Sequence, residues 1–195
     1  MRACCWILLL ISIAGATSYQ MQYCSNTPGS YFYSNDLFYG YVFTPPTNSL
    51  YISNIWLYSF SYVHPYVSAA SIIIRLYRVE AEVPTTMLAN KTYTPGDYPP
   101  QWNVYDYNVQ WNGGSDTEFC IAVQPRDVAG GSGGQFHSTV ACYQDEALTY
   151  PSRCWYLSGG VWNPWAASGD MMVKVDYQLT GVEPSTLGSI KSLFH

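Results

Sequence analysis

Positive charge is scarce in this sequence. Its 195 residues carry eight Lys and Arg against thirteen Asp and Glu, for a net charge of −5. Nucleic acid and anionic membrane surfaces demand clustered cations to neutralise phosphates, so neither is an expected partner. Apolar runs are short as well. Only residues 5–14 form one, near the N-terminus, and nothing later is long enough to insert in a membrane. No segment repeats apolar residues at a period of 3.6 across three turns, which argues against amphipathic helices. Catalytic signatures are also missing. There is no Gly-x-Ser-x-Gly elbow and no His-Glu-x-x-His, and the histidines are His64, His137 and the terminal His195.

What the chain has instead is aromatic side chains, nineteen Tyr and seven Trp. They come with Val, Ile and Thr in short segments punctuated by Gly, Pro and Asn, a composition that favours strands. Residues 37–43, 50–63, 71–80, 101–111, 118–125, 136–144, 153–162 and 170–179 are the strand segments. The stretches "EVPTTML" and "YTPGDYPP" are turn-rich. Eight or more short strands in one domain of this length predict an all-β antiparallel β-sandwich of jelly-roll type.

The N-terminus has the pattern of a secretory signal. Arg2 precedes the apolar run, and Ala14-Gly15-Ala16 is a small-x-small cleavage site, giving a signal peptide over 1–16 and a secreted or cell-surface chain. The sandwich then spans 17–180, and a tail spans 181–195. Cleavage removes Cys4 and Cys5 and leaves Cys24, Cys120, Cys142 and Cys154. Four cysteines in an exported chain imply two disulfides, with Cys142–Cys154 and Cys24–Cys120 the preferred pairing. No C-x-x-C pair occurs to suggest zinc.

The tail carries Val182, Glu183, Ser185, Thr186, Leu187, Gly188, Ile190, Lys191 and Phe194. This order resembles the short sorting-like tails that end many exported proteins of environmental bacteria. In the body, "YGYVFTPP", "FCIAVQP" and "SGGVWNPW" followed by "GDMMVKVDY" resemble uncharacterised β-sandwich modules of secreted bacterial proteins. The resemblance implies an exported bacterial sandwich and brings no catalytic residues. It also argues against a eukaryotic host that would glycosylate the "NKT" sequon at Asn90.

Alternation within "QWNVYDYNVQW" (101–111) separates core from surface. Tyr105, Tyr107, Val109 and Trp111 share one face, and Asp106, Asn108 and Gln110 share the other. Trp102 and Val104 fall on the polar face unless a β-bulge near Val104 turns them inward. An indole beside an amide and a carboxylate suits a sugar, through stacking and directional hydrogen bonds. Trp102, Asp106, Asn108 and Trp165 are therefore the candidate ligand-binding residues, with Tyr58 and Tyr62 from "NIWLYSFSY" in reserve.

Carboxylates Asp106, Asp116, Glu118, Asp145, Glu146 and Asp170 form no evident catalytic pair, so no enzyme is expected. Asp36, Asp145, Glu146 and Asp170, near strand ends, are candidates for structural calcium, and no other cofactor is implied. The sequence therefore predicts a non-catalytic module that binds polysaccharide or glycan. The alternative is a structural subunit of an extracellular fibre or surface layer. In that case "TSYQMQYC" (17–24) would add as a strand to a neighbour's open edge, by self-association.

Overall fold

A computed structural model describes residues 18–24, 30–32, 37–61, 71–94, 96, 98–114, 117–126, 140–143, 153–165 and 171–180. For 30–32, 126 and 140–143 it describes the backbone alone. The proposed signal peptide, the tail, Tyr62 and all four candidate calcium ligands lie outside these residues.

Among the described residues, twelve strands occur in the order β1 (Ser18–Gln22), β2 (Ser30–Phe32), β3 (Phe38–Phe43), β4 (Ser49–Ser61), β5 (Ser71–Glu80), β6 (Val83–Tyr93), β7 (Tyr98–Asn112), β8 (Phe119–Arg126), β9 (Val140–Tyr143), β10 (Cys154–Ser158), β11 (Val161–Pro164) and β12 (Val173–Leu179). They form two antiparallel sheets of six. Sheet A runs β1-β12-β4-β7, and β9 and β2 continue from the far end of β4. Sheet B runs β11-β10-β3-β8-β5-β6.

Strands β1, β3, β4, β5, β6, β7, β8 and β12 can be counted as one to eight. Their order is then one-eight-three-six in sheet A and two-seven-four-five in sheet B. That is the connectivity of a jelly roll, so the predicted fold class is the one observed.

The reason these segments form a sandwich is visible in their alternation. Leu50, Ile52, Ile55 and Leu57 of β4 meet Val173, Val175 and Tyr177 of β12 and Tyr105, Tyr107 and Trp111 of β7 on the inner face of sheet A. Tyr41, Phe43, Ile72, Ile74, Leu76, Phe119, Ile121 and Val123 of sheet B close the core from the other side. The face predicted for Tyr105, Tyr107 and Trp111 is indeed the dry one.

Three local expectations are corrected. The turn-rich stretch "EVPTTML" (82–88) is instead, from Val83 on, the first half of strand β6. It is an edge strand entered through a two-residue hairpin at Ala81-Glu82, both at positive φ (48° and 68°), and it lacks the Asn-Gly signal such turns usually show. Pro84 is tolerated there because an edge strand leaves one row of donors unused. Residues 153–162 are two strands, β10 and the start of β11, reversed at Gly159-Gly160 with φ of 58° and 82°. Finally, Ser18–Gln22 pairs with β12 of its own chain, so this segment completes the chain's own sheet A.

The Cys24–Cys120 pairing is also overturned, since both are buried free thiols. Cys120 faces outward from sheet B beneath Trp162, whereas Cys24 packs with Met172 against sheet A. The sandwich stands between them. The side chain of Cys142 lies outside the described residues, and Cys154 is buried in the core.

Candidate functional site

The outer face of sheet A is built in cross-strand rows, because β1, β12, β4 and β7 lie side by side in fixed register. One row is Ser18, Gln178, Tyr51 and Gln110. The next is Gln20, Asp176, Asn54 and Asp106. The third is Gln22, Lys174, Trp56 and Val104. In the fourth, Tyr58 pairs with Trp102, and its backbone N–H donates to the Met172 carbonyl at 3.2 Å. The face therefore grades from amides, through carboxylates, to a cation and indoles.

Period-two alternation would lose this order over thirteen residues if the strands did not adjust. Strand β4 carries an extra residue, Ser53, relative to β12, and β7 carries one at Tyr107-Asn108 relative to β4. Asn108 takes φ of 49° there, a conformation that Asn tolerates better than most residues. The bulge thus lies four residues beyond Val104. Trp102 and Val104 stay on the outer face, and Val104 is 50% exposed. Asn108 accepts a hydrogen bond from the Tyr51 hydroxyl at 3.0 Å.

Asp176 is the best-fixed polar group. The Trp56 indole N–H donates to its Oδ2 at 2.6 Å and the Asn54 amide to the same oxygen at 3.3 Å. Gln20 donates to Oδ1 at 2.8 Å. These donors hold the carboxylate and orient the Trp56 ring beside it. Trp102 meets Tyr58 edge-on at 5.7 Å between centroids and 87°. The Lys174 ammonium sits 3.9 Å from the centre of the Trp102 ring. Cys24 and Met172 are buried against Tyr58 and Trp102, and burial pushes the Cys24 thiol up from its ordinary value.

Of the residues proposed from sequence, Trp102, Asp106, Asn108 and Tyr58 share this face. Trp165 does not. It follows β11 at the far end of sheet B, half-buried, with its ring 4.8 Å from Tyr39 and its backbone N–H donating to the Cys154 carbonyl. Trp165 is thus separated from the other candidate residues, because Asn163-Pro164 ends the strand and leads the ring back onto the core edge. Trp56, Lys174, Asp176 and Gln20 were missed. Period-two alternation within each strand puts Trp56 with Tyr58, and Lys174 with Asp176, on one face, but nothing local sets the two strands side by side.

The outer face of sheet B differs in kind. Trp162 lies over Gly40 and Cys120 and meets Tyr77 edge-on at 5.1 Å. Arg75 stacks on Phe38 at 3.9 Å. Phe38, Val42, Tyr77, Val79, Cys120 and Ala122 are buried there, so this surface is packed and closed. Between the sheets' ends, Arg153 pairs with Glu118 at 3.6 Å and donates to Val42 and Thr44, which ties β3 to the loops. No cluster of His, Cys, Asp and Glu among the described residues has metal-binding geometry. No helix among them is long and apolar enough to cross a membrane.

No family model matches the chain, and no curated protein matches it in sequence. Its fold is similar to that of solved structures. One holds the cysteine protease and lectin-like domains of Cwp84, a surface-layer-associated protein of Clostridium difficile. The TM-score is 0.55 at 13% identity, over 84% of this chain and 36% of that one. Another is the clostridial cysteine protease Cwp84 after propeptide cleavage. Here the TM-score is 0.52 at 12% identity, over 84% of this chain and 40% of that one. This chain thus spans well under half the length of the chains it resembles, and at these identities the likeness is one of fold.

Proposed function

We propose that the protein is a non-catalytic module, secreted or displayed at the cell surface, that binds carbohydrate on the outer face of sheet A. The observation that carries this reading is the triad of half-exposed rings, Trp56, Tyr58 and Trp102, set in register beside a carboxylate fixed by three donors. Ring faces supply apolar contact to sugar C–H groups. Fixed acceptors and amides supply the directional bonds that choose among hydroxyl patterns. The similarity to a chain that includes a lectin-like domain supports the same reading.

The test is co-sedimentation of the purified protein with a panel of insoluble polysaccharides, comparing wild type with Trp56→Ala, Trp102→Ala and a Val161→Thr control. Val161 is 62% exposed at the edge of sheet B. Retention lost in the tryptophan variants alone supports the proposal; retention unchanged in all of them sinks it.

A second reading, assembly through strand edges, draws on β7. This 15-residue strand pairs with only one strand, β4, among the described residues. Against it stand Pro99, Pro100, Asp106 and the bulge at Asn108, devices that blunt an edge. Sedimentation velocity of the protein alone separates the two readings, since polymers favour the second.

A further inference from the structure

Lys174 is the only Lys or Arg that the described residues place on the outer face of sheet A. Its nearest carboxylate along β12, Asp176, is already held by Trp56, Asn54 and Gln20, and among the described residues the ammonium makes no ion pair. It rests instead on the Trp102 ring at 3.9 Å, in the row between Gln22 and Trp56. A cation held by a ring face spends little of its hydrogen-bonding capacity there, so its N–H donors remain for an incoming acceptor.

The position of Lys174 decides between two sugar chemistries. A neutral sugar stacking on that side of Trp102 must displace the ammonium. A sugar carrying a carboxylate can keep it, with the carboxylate on Lys174 and the ring's C–H face against the neighbouring Trp56. Its hydroxyls then face the row of Asp176, Asn54 and Asp106, where carboxylate and amide oxygens accept. Asp106 and Asp176 oppose a ligand that brings a second anionic group, such as a sulfate, to their row. The arrangement therefore suits a saccharide with one carboxylate per unit and free hydroxyls, not one whose hydroxyls are replaced by sulfate or phosphate.

We infer that Lys174 gives this face a preference for acidic saccharides of the uronate class. This rests on the carbohydrate reading above. The experiment is affinity electrophoresis of the full chain in gels containing polygalacturonate, alginate, the methyl ester of polygalacturonate, or neutral glucan and xylan. The expected result is retardation by at least one uronate polymer, on the order of tenfold stronger than by the ester and the neutral polymers. Lys174→Met, which keeps the aliphatic contact with Trp102, loses that preference. Lys174→Arg keeps it, and near-UV circular dichroism confirms that both variants fold.

Equal retardation by uronate and ester, retardation by neutral polymers alone, or a preference that survives Lys174→Met overturns the assignment to Lys174 and leaves the carbohydrate reading standing. Retardation by none of the polymers overturns both.

Discussion

Replacing Gly40 by alanine tests the packing of sheet B at its tightest point. Gly40 lies in the middle of β3, between β8 and β10, where the next strands leave no room to shift the backbone. A Cβ built there meets the Cys120 Sγ at 2.7 Å and two atoms of the Trp162 ring at 3.1 and 3.3 Å. The first distance is closer than real Cβ contacts come, and Cys120 is itself fully buried, so its sulfur has nowhere to retreat. Either the Trp162 ring lifts off Tyr77 or the two strands part.

Overpacking of this kind costs about 1–3 kcal/mol. In a domain of this size that lowers the melting temperature by about 2–12 °C. The assay is urea denaturation of Gly40→Ala, Cys120→Ala and the double variant. Removing the sulfur relieves the closest clash and leaves the Trp162 contact, so the alanine at 40 costs at least ~0.5 kcal/mol less in the Cys120→Ala background. An unchanged midpoint for Gly40→Ala, or strictly additive costs, would refute the reasoning.

Other outcomes follow from the same physics. Ala81 and Glu82 both occupy the left-handed region without glycine, so Ala81→Asn with Glu82→Gly is expected to raise stability by about 1 kcal/mol by thermal melting; a loss would show that Glu82 is held there by something other than the turn. High pH is expected to destabilise the fold. Tyr93, whose hydroxyl donates to the Asp106 carbonyl at 2.7 Å, is pushed up to about 12 by burial and by the Asp106 carboxylate. Burial and the neighbouring Tyr98 raise Tyr105 further. Unfolded tyrosines release their protons near pH ~10 while the folded ones keep theirs, so stability present below that pH falls as pH rises from about 10 towards 12. Urea midpoints between those values check this. Tyr93→Phe should flatten the slope, and a midpoint independent of pH contradicts it.

Much of the fold was legible because the strands of a sandwich announce themselves by alternation. Val173, Val175 and Tyr177 against Lys174, Asp176 and Gln178 is a pattern with one structural solution, and Tyr105, Tyr107 and Trp111 likewise. Strand β6 was hidden because an edge strand with Pro84 and mixed exposure has little alternation to show. The reversal at Gly159-Gly160 does carry a local signal, since paired glycines are what a two-residue hairpin wants.

The candidate face was legible only strand by strand. Nothing local in the sequence reveals that β4 lies between β7 and β12, strands about fifty and one hundred and twenty residues away. That long-range pairing is what sets Trp56 beside Asp176 and Trp102 beside Lys174. The disulfide expectation failed for a related reason. Cysteine counting knows the number of thiols but not the face each one occupies, and Cys24 and Cys120 lie on opposite outer surfaces.

The most direct test of the carbohydrate-binding face is a titration of isotope-labelled protein with soluble oligosaccharides from whichever polymer retains it, followed through the indole N–H resonances. Trp56 donates its N–H to Asp176 on the outer face of sheet A, whereas Trp155 and Trp162 belong to the packed outer face of sheet B. The account predicts that the Trp56 and Trp102 signals move saturably while those of Trp155 and Trp162 stay in place. Shifts confined to Trp155 and Trp162, or no shift at any indole, would contradict it.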